Sequence, residues 1–314
     1  MYKLTSVIND FISHCRFEKN LSTKTIKAYQ IDLGQLNEFL LKMDYSPEVS
    51  SISKFQLREY LETIASLKPK SIKRKIATIK VLFNYLEFED IISTNPLRKM
   101  RIKIREPKTL PKVLNINQID EIFKTVYKKT DMGNDDKKYL YFETLRNIVV
   151  IELLFATGAR VSEISNLRDE MINVDSGEIT IKGKGNKERI IQVCNEETII
   201  ILKQYKNSYL EKIRKSGGFF LVNRLGNMLS DQSIRNIVKS VSVKAEIQSN
   251  VTPHQFRHTF ATLLLEKDVD IKYIQGLLGH SSILTTQIYT HVNREKQRQI
   301  LSTKHPRGDI SFTF

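Results

Sequence analysis

Six side chains in this sequence are of the types that can hold a phosphodiester and break it without a metal. They are Arg160, Lys184, His254, Arg257, His280 and Tyr289, in that chain order. Arginine suits phosphate because its planar fork bonds two oxygens at once and stays charged. A lysine ammonium among other cations has a lowered pKa and can protonate a leaving oxygen. A histidine can take the proton from a phenol that attacks phosphorus. Each residue alone is ordinary. A bare His-x-x-Arg spacing is most often two surface side chains, a lysine at a hairpin tip is usually just solvated, and Tyr289 is one of 12 tyrosines. It is the complete set that points to chemistry.

Such a set works only if local elements aim it. Thr252, Pro253 and Gln255 form a capping-box pattern with proline in the first helical position. A helix starting there puts His254 and Arg257 on one face, near an end that already attracts anions. Arg160 follows Gly158, where the apolar helix TLRNIVVIELLFATG should end; glycine permits the sharp turn that lets Arg160 leave the core. Glu163 either orients Arg160 or caps the next helix, with orientation the favoured reading. Lys184 lies between Gly183 and Gly185, and the alternating stretches GEITIKG and KERIIQV on either side predict a β-hairpin. Within it Ile179 and Ile181 share a face, as do Ile191 and Val193. Gly279 should end a helix just before His280. Ser281 or Ser282 can start the next one, which reaches Tyr289.

The first hundred residues read as helices. Ile26, Tyr29, Leu33, Leu36 and Leu40 recur at three- and four-residue spacing behind a cap at Ser22 or Thr23. A second helix opens after Ser53, and a third runs through Ile72, Ile76, Ile79, Phe83 and Leu86. Lys70, Lys73, Arg74, Lys75 and Lys80 are expected on the other face of that third helix. A solvated face is the bland meaning of such a run; its density favours phosphate contact. Pro96, Pro107 and Pro111 then break the pattern. Between them Arg98, Lys99, Arg101, Lys103, Arg105 and Lys108 are opposed only by Glu106, as in a basic linker running beside nucleic acid. The expected domains are therefore residues 1–97, a linker over 98–110, and residues 111–314. In the last of these, LNINQIDEIFKTVYKK reads as a helix capped by Asn117, and TDMGNDDKK as a polar loop.

Charge agrees with that chemistry. The net charge of +15 and pI near 9.6 favour a polyanion, nucleic acid first and an anionic membrane surface second. Residues 1–108 carry 20 Lys+Arg against 12 Asp+Glu, a net of +8, so both halves are basic. Cys15 and Cys194 fit neither a metal spacing nor a disulfide framework and are expected to be buried thiols in a reducing cytoplasm. The N-terminus has no apolar signal core, and the run IVVIELLFATGA is too short to span a bilayer. The expectation is a cytoplasmic protein with no membrane contact, no metal and no cofactor.

ATGARVSEISNL, IKGKGNKERIIQV, HQFRHTFATLLLEKDVDIKYIQGLLGHSSILTTQIYTHV and LSTKHPRG resemble segments of tyrosine recombinases, most of all the Xer branch, alongside phage integrases. LSTKTIKAYQIDL and STNPL resemble its helical core-binding domain. The family's catalytic positions fall on Arg160, Lys184, His254, Arg257, His280 and Tyr289, and Glu163 matches its acidic position. One segment, KKTDMGNDDKKYLYFETLRN, is longer than the usual Xer connector.

The resemblance implies a mainly α (α+β) fold: a helical N-terminal core-binding domain and a mostly helical catalytic domain with a small antiparallel sheet. It implies that Tyr289 attacks a DNA phosphate, leaving a 3′-phosphotyrosyl link and a free 5′-hydroxyl, with no ATP. The implied partners are double-stranded DNA, further protomers in a tetramer on synapsed DNA or a second recombinase, and a DNA translocase. NREKQRQIL would then dock on a neighbouring protomer. Chromosome dimer resolution, mobile-element integration and DNA inversion share this chemistry. A non-cleaving DNA-binding protein of the same fold and a relaxing topoisomerase are weaker readings.

Overall fold

The computed structural model describes residues 2–105, 112–128, 137–183 and 188–279, with residues 137–140 described by their backbone alone. The chain divides into two compact units, Met1–Lys108 and Thr109–Phe314. It is mainly α-helical with one small antiparallel sheet, as the sequence led us to expect.

The first unit contains α1 (Leu4–Phe17), α2 (Thr23–Lys42), α3 (Lys54–Thr63) and α4 (Pro69–Phe88). Ser22 caps α2 by accepting from the Thr25 N–H, and Ser53 caps α3 in a capping box with Gln56. The predicted stripes form the core: Leu33, Leu36 and Leu40 of α2 pack with Leu82, Phe83 and Leu86 of α4 and with Leu4 and Phe11 of α1.

One basic residue departs from expectation. Lys75 does not lie on the exposed face of α4 but is 4% exposed, its Nζ 3.1 Å from Asp32 Oδ1. Arg74 also pairs with Asp32, and Thr78 Oγ1 donates to it at 3.2 Å. The reason is helical phase. Position 75 falls on the same side as Ile72, Ile76 and Ile79, and the fully buried Asp32 of α2 needs counter-charges there. Lys70, Lys73 and Lys80 are exposed.

The core of this unit continues beyond α4 into the expected linker. Leu97 and Met100 are buried in it, and Ile102 and Ile104 pack against it. Arg101, Lys103 and Arg105 alternate with those isoleucines and are exposed, as are Arg98 and Lys99. Arg98 pairs with Glu87 at 3.2 Å. The first part of the 98–110 stretch is thus laid on the first unit by its apolar residues.

The second unit is built around α6 (Lys137–Thr157). Val149, Val150, Ile151, Leu153 and Leu154 are all buried on it, the mark of a helix covered on every side. Around it lie α5 (Ile116–Tyr127), α7 (Val161–Ser165), α8 (Glu196–Lys215), α9 (Asp231–Lys244), α10 (Pro253–Glu266) and α11 (Ile271–Leu278). The cap of α5 is Asn115, not Asn117: its side chain accepts from Gln118 N at 2.8 Å, and Gln118 accepts from Asn115 N at 3.1 Å. The cap therefore directly follows Leu114, whose burial fixes the entry of the chain.

Strands β1 (Ile172–Asn173), β2 (Glu178–Lys182) and β3 (Glu188–Gln192) form an antiparallel sheet in that order. Ile179 pairs with Ile191, and Ile179, Ile181, Ile191 and Val193 all face the core. Cys15 is buried, but Cys194 is exposed, because it follows the inward-facing Val193 and takes the opposite face. Of the polar loop TDMGNDDKK, residues 130–136 lie outside the described residues and Lys137 and Lys138 open α6. Among the described residues no helix is long and apolar enough to cross a membrane.

Candidate functional site

The site begins where α6 stops. Thr157 accepts the Ala159 N–H on its side chain, and Gly158 takes a left-handed φ of +57°. A Cβ at Gly158 would lie 2.6 Å from the Phe260 ring of α10, so both backbone and space require glycine here. The turn delivers Arg160 to the N-cap of α7 with its side chain 36% exposed.

Glu163 performs both of the jobs that its spacing allowed. Its Oε2 accepts from the Arg160 backbone N–H at 2.9 Å, and its Oε1 accepts from Arg160 Nη1 at 2.7 Å. The carboxylate is 5% exposed. Burial alone pushes its pKa up, but hydrogen bonds from Arg189 and from the Arg160 backbone and side chain outweigh that and hold it below the ordinary value.

Arg189 is a member of the site that sequence reading missed. Its Nη2 donates to Glu163 Oε2 at 2.7 Å and its Nε to the Leu277 carbonyl at 2.7 Å. The signal was available: Arg189 stands opposite the buried Ile181 and in phase with Ile191 and Val193. A charge on the core face of a strand must meet a partner.

On α10 the predicted cap is present, with Gln255 Oε1 accepting from Thr252 N at 2.8 Å. His254 and Arg257 divide the work instead of sharing one exposed face. His254 is exposed, whereas Arg257 is 3% exposed. Arg257 Nη1 donates to the Gly158 carbonyl at 2.9 Å and Nη2 to the Leu278 carbonyl at 2.7 Å. The guanidinium therefore sits against the chain two residues before Arg160.

Although the ring has an exposed edge, its partial desolvation, followed by the charges of Arg257, Arg235 and Arg160, lowers the His254 pKa, which favours the neutral imidazole that can accept a proton. Its neighbour one turn on, His258, has its ring 6.4 Å away. Burial, His254 and Arg257 push the His258 pKa down to about 4. Arg235 of α9 carried no sequence signal that set it apart from other helix-surface arginines.

The structure thus brings Arg160, Glu163, His254 and Arg257 of the expected set together, and adds Arg189, His258 and Arg235. Lys184, His280 and Tyr289 lie outside the described residues. Gly279, immediately before His280, ends α11 in the left-handed conformation at φ +64°, as expected. Chemically, the described part offers an arginine partly open to solvent, a neutral histidine and a helix N-terminus. These are means of binding an anion and accepting a proton.

Residues 112–296 match the model of the phage integrase family, and residues 8–90 match the phage integrase N-terminal SAM-like domain. The chain belongs to the phage integrase family. It is a tyrosine recombinase, an enzyme that cleaves and rejoins DNA. A tyrosine recombinase of Agathobacter rectalis is 44% identical over 314 residues, covering 99% of this chain and 100% of that protein. Tyrosine recombinase XerD of Listeria innocua is 33% identical, covering 97% and 100%. The fold resembles that of the XerH site-specific recombinase in its post-cleavage complex with palindromic difH substrate, with a TM-score of 0.74 and 23% identity over 94% of this chain and 83% of that one.

Proposed function

We propose that this recombinase is Xer-like and acts through Tyr289. The phenol oxygen forms a bond to phosphorus as the bond to the 5′ oxygen breaks, leaving DNA joined to Tyr289 through its 3′-phosphate. His254 takes the phenol proton, and Lys184 gives one to the leaving 5′ oxygen. Arg160, Arg257 and His280 hold the charge on the non-bridging oxygens. Phosphoryl transfer asks mainly for such positioning and charge stabilisation.

The observation that carries this reading is the anchoring of Arg257 to the Gly158 carbonyl at 2.9 Å, which joins α10, with His254 and Arg257, to the turn that carries Arg160. Neither ATP nor metal is needed, because the phosphotyrosyl ester keeps the energy of the broken bond.

In this reading residues 111–314 are the catalytic domain, residues 1–97 a DNA core-binding domain and 98–110 the basic connection. Support comes from the exposed Lys70, Lys73, Lys80, Arg101, Lys103 and Arg105. The working assembly is four protomers on two synapsed duplexes, or this chain with a second recombinase, with a DNA translocase as activator. Chromosome dimer resolution is the favoured role, supported by relatives named XerD and XerC at 33% and 32% identity.

The test is covalent trapping on a nicked duplex cut from the chain's genomic binding site. Wild type should form an adduct and Tyr289→Phe none. An adduct surviving in the Phe variant removes Tyr289 as nucleophile, and none from the wild type removes cleavage. A single chromosomal site in the binding map supports dimer resolution; sites at the ends of a mobile element refute it.

A further inference from the structure

We propose that Arg189 is a positioning residue for the cleavage step, locking Arg160 and the end of α11 into one arrangement. This rests on the DNA-cleaving reading above. Arg189 reaches three parts of the second unit at once. It belongs to β3, five residues after Lys184 in sequence. Its fork meets both oxygens of Glu163, at 2.7 Å from Nη2 to Oε2 and 3.3 Å from Nη1 to Oε1. Its Nε meets the Leu277 carbonyl at 2.7 Å, two residues before Gly279 and three before His280.

Glu163 is a shared hub. The oxygen that binds Arg189 Nη2 also binds the Arg160 backbone, and the one that binds Arg189 Nη1 also binds the Arg160 side chain. Without Arg189 the buried carboxylate would have one cation instead of two and would pull harder on Arg160. A guanidinium drawn fully onto Glu163 is less available to a phosphate. The Leu277 carbonyl would also lose a donor at the last turn of α11, where orphan carbonyls need partners. Only arginine has donors spaced for a carboxylate fork and a separate carbonyl. Space is fitted to it as well: a Cβ on Gly279 would come within 3.0 Å of Arg189 Nη1.

The experiment compares wild type, Arg189→Gln, Arg189→Lys, Glu163→Gln and the R189Q/E163Q double variant as full-length proteins. One readout is the first-turnover rate of adduct formation on the nicked duplex, beside DNA affinity. The other is the Nε–H NMR signal of Arg160, assigned by its loss in Arg160→Lys. Arg189→Gln should slow cleavage about 10–100-fold, the range for removing partners that orient metal ligands, with DNA affinity changed less than about threefold. The double variant should be within about threefold of the slower single variant, since both act through one hub. The Arg160 signal should broaden or shift in Arg189→Gln, and Arg189→Lys should fall between it and wild type.

Wild-type cleavage by Arg189→Gln, an unchanged Arg160 signal, or losses that multiply in the double variant would overturn the proposal. If the Gln variant does not fold, the Lys variant carries the same comparisons. If wild type binds DNA but forms no adduct, the cleavage reading falls, while the NMR signal still decides whether Arg189 positions Arg160.

Discussion

Gly158→Ala tests whether the turn at the end of α6 is what holds the arginines in place. Two costs follow from the geometry. At φ +57° an L side chain pays roughly 1–2 kcal/mol for the left-handed conformation. The added methyl would also start 2.6 Å from the Phe260 ring, and such overpacking adds about 1–3 kcal/mol. The total is about 2–5 kcal/mol. For a unit of this size each kcal/mol lowers Tm by about 2–4 °C, so a fall of roughly 4–20 °C is expected in calorimetry. Phe260→Leu in the same chain separates the two terms, because it relieves the contact but leaves the backbone strain. The double variant should therefore recover part of the loss and no more. Cleavage should fall further than stability alone explains, since the Gly158 carbonyl is an anchor of Arg257. A Tm within 1–2 °C of wild type, about the shift from 0.5 kcal/mol, would refute the steric argument. Full recovery in the double variant would refute the strain term.

Lys75→Met should destabilise the first unit without altering DNA binding, because it removes one of two cations from the buried Asp32. The cost is bounded by the roughly 3–5 kcal/mol of a broken buried pair and reduced by the remaining Arg74. Lys80→Ala should do the reverse, lowering the salt slope of DNA binding by about 1 with Tm unchanged; equal effects in the two variants would reject the division of the α4 cations. With His254 as proton acceptor, the cleavage rate should hold on acidification past the ordinary histidine pKa and fall only at the lowered one. Arg235→Ala, which removes one of the charges lowering that pKa, should move the fall to higher pH; an unmoved profile rejects the role of Arg235. The Glu163 pKa is depressed in the folded chain, so its contribution to stability is complete above the unfolded value and is lost as pH falls through the folded one. Glu163→Gln should flatten the acid limb of the stability profile, read by urea melts across pH.

Local signals in the sequence were legible wherever the nearest residues decide structure. The caps at Ser22, Ser53 and Thr252 were readable because capping is a contact over two or three positions. The β2–β3 hairpin and the end of α6 at Gly158 followed from alternation and from glycine's tolerance of positive φ. What failed depended on distant partners. Lys75 looked like its basic neighbours because Asp32, the reason for its burial, is 43 residues away in sequence. Arg189 and Glu163 are 26 residues apart, and no short motif joins them. Arg257 was expected on an open helix face, since nothing nearby shows that two main-chain carbonyls would receive it. Asn117 reads as a cap because it fits the capping rule, but so does Asn115, and only the burial of Leu114 separates the two.

The contact between Arg257 and the Gly158 carbonyl closes a span of 99 residues. This has a bearing on safety during synthesis. A chain emerging from the ribosome presents Arg160 and Glu163 long before α10 exists, so a partly made protein has Arg160 but neither Arg257 nor His254. Because Arg257 is held by the main-chain carbonyls of Gly158, just past α6, and of Leu278, at the end of α11, its geometry depends on both being in place. The grouping of Arg160, His254 and Arg257 therefore arrives only with the completed fold of the second unit, and under the proposed cleavage mechanism a chain that stops before α10 should form no covalent adduct with DNA.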